Sequence, residues 1–253
     1  MLTDQRRQQI LRMLLENEAV QVASLAERFG VSEVTIRRDL SALNGQSGLR
    51  RIRGGALLTP PDLHEATLQE REVVNRDEKA RIGEAAAKFV LDGDTIIISG
   101  GTTTAELAKR LVHHNDLLVI TPTINIATLL AGAAGVTVLI TGGILVGPEQ
   151  TLAGHISEQA LSTLHASKLF MGVNALDIDH GLTSAHPGEI GVDQAMLNAA
   201  DRCIILADHT KLGRTSTCAF GSVSDVDVLI TDQQAPAEFV AELRELGVEV
   251  VLA

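Results

Sequence analysis

The chain has 253 residues, with 21 Lys+Arg against 32 Asp+Glu and a formal net charge of −11. That length holds one large domain or two unequal ones, and the acidic total excludes a uniformly cationic nucleic-acid binder. With no Trp, no Tyr and five Phe, stacking platforms for single strands or RNA are poorly supplied.

The charge is unevenly placed. Residues 1–58 carry 9 Arg, no Lys and 6 acidic residues, a net +3. Residues 59–253 carry 12 basic and 26 acidic residues, a net −14. A basic head is drawn to phosphates, and an acidic body is kept off the duplex.

The run from Leu2 to Glu16 reads as an amphipathic helix. Val22 to Leu43 then predicts two short helices joined at Gly30. In the first, Val22, Leu25, Ala26 and Phe29 recur at helical spacing. Gly30 supplies the positive φ that ends it. Ser32 is a good N-cap for the second, because its hydroxyl accepts a bond from a free backbone N–H. Ile36, Leu40 and Leu43 form the buried face of that second helix. The opposite side carries Val34, Thr35, Arg37, Arg38 and Ser41, a short cationic surface suited to a DNA major groove. Asp39 falls nearer the buried side, where its expected role is to anchor an arginine. Leu49 to Ala56 (LRRIRGGA) predicts a basic strand running into a Gly-Gly turn.

Helix, helix-turn-helix and basic hairpin together make the layout of a winged helix. A helical hairpin with a solvated charged face is the competing reading. The expected DNA contacts are Ser32, Thr35, Arg37, Arg38 and Ser41, with Arg51 and Arg53 in the wing. Thr59-Pro60-Pro61-Asp62 breaks the head off, since consecutive prolines hold the backbone extended. The expected division is a head over 1–58, a linker over 59–76 and an effector domain over 77–253. His64 to Asn75 reads as a linker or an exposed short helix.

Beyond Asp77, strand and helix patterns alternate. Apolar runs fall at Asp94–Ser99, Leu117–Thr121, Val136–Thr141, Lys168–Gly172, Cys203–Ala207, Val226–Thr231 and Val248–Leu252. Helical stretches fall at Glu78–Val90, Thr103–His113, Ile124–Leu130, Ser157–Leu164, Val192–Asn198 and Ala237–Leu246. Continuous apolar strands are buried on both faces, which predicts an α/β, Rossmann-like, mostly parallel sheet.

In such sheets ligands bind past the carboxyl ends of the strands. Ser99 to Thr104 (SGGTTT) follows the first body strand and opens a helix, so hydroxyls and backbone N–H groups can face an anion. It is neither a P-loop nor a dinucleotide fingerprint, and a plain strand-to-helix turn stays open as an alternative. Thr121, the Gly142-Gly143 pair and the Asp208–Lys211 segment follow three further strands. Lys211 is a reasonable phosphate partner there, or a surface lysine. Cys203 and Cys218 lie in no metal-ligand pattern, and Cys203 reads as a buried thiol. No metal and no cofactor are expected. Without a signal segment or a membrane-length apolar stretch, a soluble cytoplasmic protein is expected.

SEVTIRRDL (Ser32 to Leu40) resembles the signature of the DeoR family of bacterial transcriptional regulators. RIRGGA (Arg51 to Ala56) resembles that family's wing, with Arg53 where His is more frequent. The body resembles the family's effector domain in GGTTT (Gly100 to Thr104), Gly142-Gly143, Gly154, Gly181-Leu182-Thr183, Glu189 and ADHTKLG (Ala207 to Gly213). Ser99 and Pro122, at the pocket mouth, depart from the family's acidic residue and Asn. Arg71 and the pair Glu78-Lys79 resemble positions at the family's hinge.

That effector domain is similar to ribose-5-phosphate isomerase, in which a Gly-Ser/Thr-Thr loop and an Asp-x-x-Lys segment hold phosphate. The resemblance implies phosphate contacts at Gly101, Thr102, Thr103, Asp208 and Lys211. Thr121 and Gly143 join this effector set, and Asp177 and Glu189 match the isomerases' acids loosely. The implied function is a non-enzymatic repressor of a carbohydrate operon. It would bind double-stranded operator DNA as a homo-oligomer, dimer or tetramer, under control of a sugar phosphate. The alternative is an isomerase with an appended head, using Asp177, Asp179 or Glu189 as base. The sequence around those acids does not form a recognisable catalytic loop.

Overall fold

The computed structural model describes residues 6–10, 12–13, 19–43, 49–52, 54–58, 68–147 and 149–253. The chain divides into two compact units, Met1–Val74 and Asn75–Ala253.

In the first unit, residues 6–10 and 12–13 are helical. Strand β1 (Ala19–Gln21) leads into α1 (Val22–Phe29), and α2 (Glu33–Leu43) follows. Between the helices Gly30 adopts φ 62° and ψ 35°, and the Val31 N–H donates to the Ala26 carbonyl at 3.1 Å. A side chain at that φ would be strained, so glycine sets the tight angle between the helices. Strands β2 (Leu49–Ile52) and β3 (Gly55–Leu58) form the hairpin, with Arg51 opposite Ala56 and Ile52 opposite Gly55. β1 adds antiparallel to β3, giving a three-stranded sheet in the order β1-β3-β2. Three residues are too few to show an alternating pattern, so β1 is not legible in sequence. Ile10, Val22, Leu25, Ile36, Leu40, Val20 and Ala56 bury together as the core. This is a winged helix-turn-helix. A further helix, α3 (Leu68–Val73), precedes the division at Val74.

The second unit starts with α4 (Arg76–Ala87) and is built on β4 (Thr95–Ile98), β5 (Leu117–Thr121) and β6 (Val136–Ile140). It continues through β7 (Ile144–Val146), β8 (Thr151–Ala153) and β9 (Lys168–Gly172). Next come β10 (Ala175–Asp177), β11 (Gly181–Ser184), β12 (Cys203–Leu206), β13 (Cys218–Gly221), β14 (Val228–Thr231) and β15 (Glu249–Leu252). Each apolar run read from sequence contributes one strand to a seven-stranded sheet, in the order β15-β14-β12-β9-β4-β5-β6. Every neighbouring pair in it is parallel. Ile97, Leu169, Met171, Ile205 and Leu229 bury in one layer, while Ile96, Ile98, Phe170, Ile204 and Ile230 bury in the other. Successive strand residues point to opposite faces, so two covered faces require uninterrupted apolar runs.

The layers are covered by α5 (Thr102–Ala108), α6 (Ile124–Leu130), α7 (His155–Ser162), α8 (Ile190–Asn198) and α9 (Ala237–Glu245) together with α4. The architecture is α/β and Rossmann-like. From β4 the chain builds outward through β5 and β6, then returns to β9 on the other side. The order therefore reverses between β4 and β9. Two small sheets lie outside the seven: a β7-β8 pair and an antiparallel β10-β11-β13 group. The sequence reading did not anticipate either.

Candidate functional site

In the first unit the second helix presents a mixed face. Ile36 and Leu40 are fully buried, and Leu43 nearly so. Ser32 caps the helix: its Oγ accepts the Thr35 N–H at 3.2 Å and lies 2.9 Å from Thr35 Oγ1. These two expected DNA contacts therefore already engage each other. Arg37 extends from the exposed side and pairs with Glu33 at 2.8 Å. Arg38 is exposed. The side chains of Ser41 and Arg51, and Arg53 entirely, lie outside the described residues.

Asp39 is buried, as its position on the helix implied, and it anchors two arginines rather than one. Its Oδ2 accepts from Arg6 Nε at 2.7 Å and its Oδ1 from Arg7 Nε at 3.0 Å. These charge-assisted bonds tie α2 to the N-terminal helix and fix where its exposed face points.

In the second unit, the segments expected to bind an effector gather at one edge of the sheet. Parallel pairing aligns the carboxyl ends of β12, β9, β4 and β5 side by side. Asp208–Lys211, Gly172, Ser99–Thr104 and Thr121–Thr123 follow those ends in that spatial order. The reversal of strand order between β4 and β9 falls within this row, where α/β sheets open a crevice.

The hydroxyls hold the rim together. Ser99 Oγ accepts the Gly172 N–H at 3.0 Å, joining β4 to β9. Gly101 stands before α5, and Thr102, Thr103 and Thr104 are buried at its start. Thr121 Oγ1 donates to the Ile98 carbonyl at 2.7 Å and lies 2.9 Å from Thr123 Oγ1. Thr121 thus joins β5 to β4. Gly143 takes φ 123°, and a Cβ there would lie 2.7 Å from the Ala153 carbonyl oxygen of β8.

The Asp208–Lys211 segment is a short 3₁₀ turn at His209–Lys211. Asp208 is buried, and its Oδ1 accepts from the Thr210 N–H at 3.0 Å, the Thr210 hydroxyl and Asn75 Nδ2 at 3.2 Å. The carboxylate therefore shapes the turn that carries Lys211. His209 Nδ1 lies 3.0 Å from the Asp232 carboxylate, which also accepts the His209 N–H at 2.8 Å. Asp232 is fully buried. Burial pushes its pKa up, but N–H donation from His209 and Gln234 and the His209 ring hold it below the usual value. A bridge between Leu176 and Leu212, with Gly213 N–H donating to the Leu176 carbonyl at 2.9 Å, brings β10 against this turn.

Asp177 ends β10. It accepts from the backbone of Asp179 and His180, and the His180 ring lies 2.8 Å away. The His180 contact is the main cause of its lowered pKa. Glu189 is buried at the start of α8. Its Oε1 would stand 2.8 Å from a Cβ at Gly147. It belongs to an acidic group with Glu149 and Asp193: burial first, then the charges of Glu189 and Glu149, push the Asp193 carboxyl well above its usual pKa. The Glu149 Cβ would stand 3.6 Å from a Cβ at Gly100, so this group borders the glycine loop. Sequence reading missed Glu149, Asp193 and Asn75, since no motif marks them.

Among the described residues no cluster of His, Cys, Asp and Glu could hold a metal ion, and no helix is long and apolar enough to cross a membrane. Burial pushes the Cys203 thiol up, in keeping with its reading as a buried thiol.

Two family descriptions match the chain: a DeoR-like helix-turn-helix domain over residues 6–61 and a DeoR C-terminal sensor domain over residues 74–233. A putative aga operon transcriptional repressor of Escherichia coli O157:H7 is 35% identical, covering 99% of this chain and 94% of the relative. The HTH-type transcriptional repressor GlcR of Bacillus subtilis (strain 168) is 34% identical, over 96% of this chain and 93% of its own length. The HTH-type transcriptional regulator GlpR of Haloferax volcanii is 32% identical, over 99% and 98%. With both of its units matched and relatives aligned end to end, the chain belongs to the DeoR family of transcriptional regulators.

Proposed function

We propose that this regulator represses an operon of carbohydrate metabolism, and that a phosphorylated sugar bound at the carboxyl edge of its sheet weakens its hold on operator DNA. The observation that carries the effector site is the gathering of Ser99–Thr104 and Asp208–Lys211 beside the reversal between β4 and β9. Glycine, hydroxyl groups and a lysine lie on segments that follow these neighbouring strand ends, the residue types an anionic phosphate requires. Gly101, Thr102, Thr103 and Lys211 are assigned to the phosphate. Thr121, Gly143, Asp177, Glu189 and Asp208 are assigned to the sugar side or to shaping the pocket. The names of the relatives point the same way, since one is a repressor of the aga operon.

The DNA-contacting set is Arg37, Arg38, Ser41, Arg51 and Arg53, with Ser32 and Thr35 organising the start of α2. One winged helix covers one half-site, so operator binding needs at least a homodimer on repeated or palindromic half-sites. The assigned role is regulation without turnover. Asp177, one of three acids the isomerase alternative could use, is occupied by the β10–β11 turn and the His180 ring.

Lys211→Ala tests the assignment. The variant should bind operator as the wild type does when no effector is present. It should need about tenfold or more of the sugar phosphate to respond, the loss of one charged hydrogen bond. A wild-type response would show that the phosphate sits elsewhere.

A further inference from the structure

Among the described residues, the exposed face of α2 holds an apolar side chain that the folding of the first unit does not explain. Val34 is 59% exposed. Among the described residues it is not one of those packed in or against the core of that unit. Valine is a poorer helix former than alanine, lysine or glutamate, so the helix gains nothing from it. Its place on the helix is informative. Val34, Arg37, Arg38 and Ser41 follow one another at the spacing of a single helical face, opposite the buried Ile36 and Leu40. It lies in the first turn, the part of a recognition helix that reaches the base edges.

Three of its polar neighbours are already engaged. Ser32 and Thr35 hold each other in the cap, and Arg37 pairs with Glu33. Val34 therefore stands as an apolar tooth in a cationic face. An isopropyl group can neither donate nor accept a hydrogen bond. In the major groove the feature that complements it is the C5-methyl group of thymine. Valine in a helix holds essentially one χ1 rotamer, so the contact costs little side-chain entropy.

We propose that Val34 is a specificity-determining residue, packing its isopropyl group on the methyl of one thymine in each half-site. This rests on the reading of α2 as the helix that enters the major groove.

The test uses the full-length protein and DNA alone. A binding site is selected from random duplexes, and its thymines are replaced one at a time by deoxyuridine, which removes only the methyl group. Wild type and Val34→Ala are then titrated against each duplex and against random DNA. At one thymine per half-site, deoxyuridine should weaken wild-type binding about fourfold, the worth of one buried methyl group. Val34→Ala should bind the thymine and deoxyuridine forms of that duplex equally, while its affinity for random DNA stays unchanged. The proposal is overturned if the variant discriminates every pair as the wild type does, or if no thymine methyl matters to the wild type. Selection of no sequence at all would instead overturn the reading of α2, and the proposal with it. Because Val34 is exposed and unpacked, its truncation leaves the fold intact, which thermal unfolding of the variant checks.

Discussion

Asp39 and its two arginines form a charge cluster between α2 and the N-terminal helix of the first unit. The carboxylate and Arg6 are both buried, and each depends on the other for solvation lost on folding. Removing one partner of such a pair strands a buried charge. Asp39→Ala is therefore expected to destabilise the first unit by about 3–5 kcal/mol. Urea unfolding of the full chain measures this. A loss below about 1 kcal/mol would mean the cluster behaves like an exposed pair. Asp39 was legible because its phase on α2 points inward. Its second partner was not, since nothing local distinguishes Arg6 from Arg7.

Asp193 makes the opposite case. Its folded pKa is raised, so the folded state holds a proton that the unfolded chain, with the usual value of 3.8, gives up. That contribution is fully present below the unfolded value and is lost as pH rises through the folded one. Asp193→Asn removes the ionisation. Its melting temperature should exceed that of the wild type increasingly as pH rises above the ordinary carboxylate value. A pH-independent difference would show that Asp193 does not carry the buried proton. Asp193 could not be read from sequence, because its burial and its neighbours Glu189 and Glu149 exist only after folding. The bond between Asn75 and Asp208, 133 residues apart, is hidden for the same reason.

At the scale of elements, the parallel sheet was the clearest feature in the sequence. Its inner strands are apolar runs because both faces are covered, and such runs stand out against polar helix faces. The β10-β11-β13 group was not legible. Its strands have three or four residues, and GLTS and CAFG carry no period-2 alternation. The glycine pairs were legible as positions but not as reasons. Gly143 shows why: its φ of 123° and the nearby Ala153 carbonyl leave no room for a side chain. Gly143→Ala should cost about 1–3 kcal/mol through forced backbone strain. Urea titration reads the loss. An unchanged midpoint would mean that β8 yields freely.

At the scale of the molecule, charge is separated along the chain. The first 58 residues carry the net +3 and the remainder the net −14, so attraction to phosphates is confined to one end of the chain. An effector in the second unit can change DNA affinity only by binding two states of the protein unequally, and the coupling is then reciprocal. The measurement that tests this most directly is fluorescence anisotropy of the full-length protein on DNA from its own upstream region, at fixed salt. Each of a set of sugar phosphates is added alongside its unphosphorylated sugar. Operator affinity should fall with one phosphate and stay constant with the matching free sugar. Tight DNA binding that no sugar phosphate alters would contradict the effector assignment.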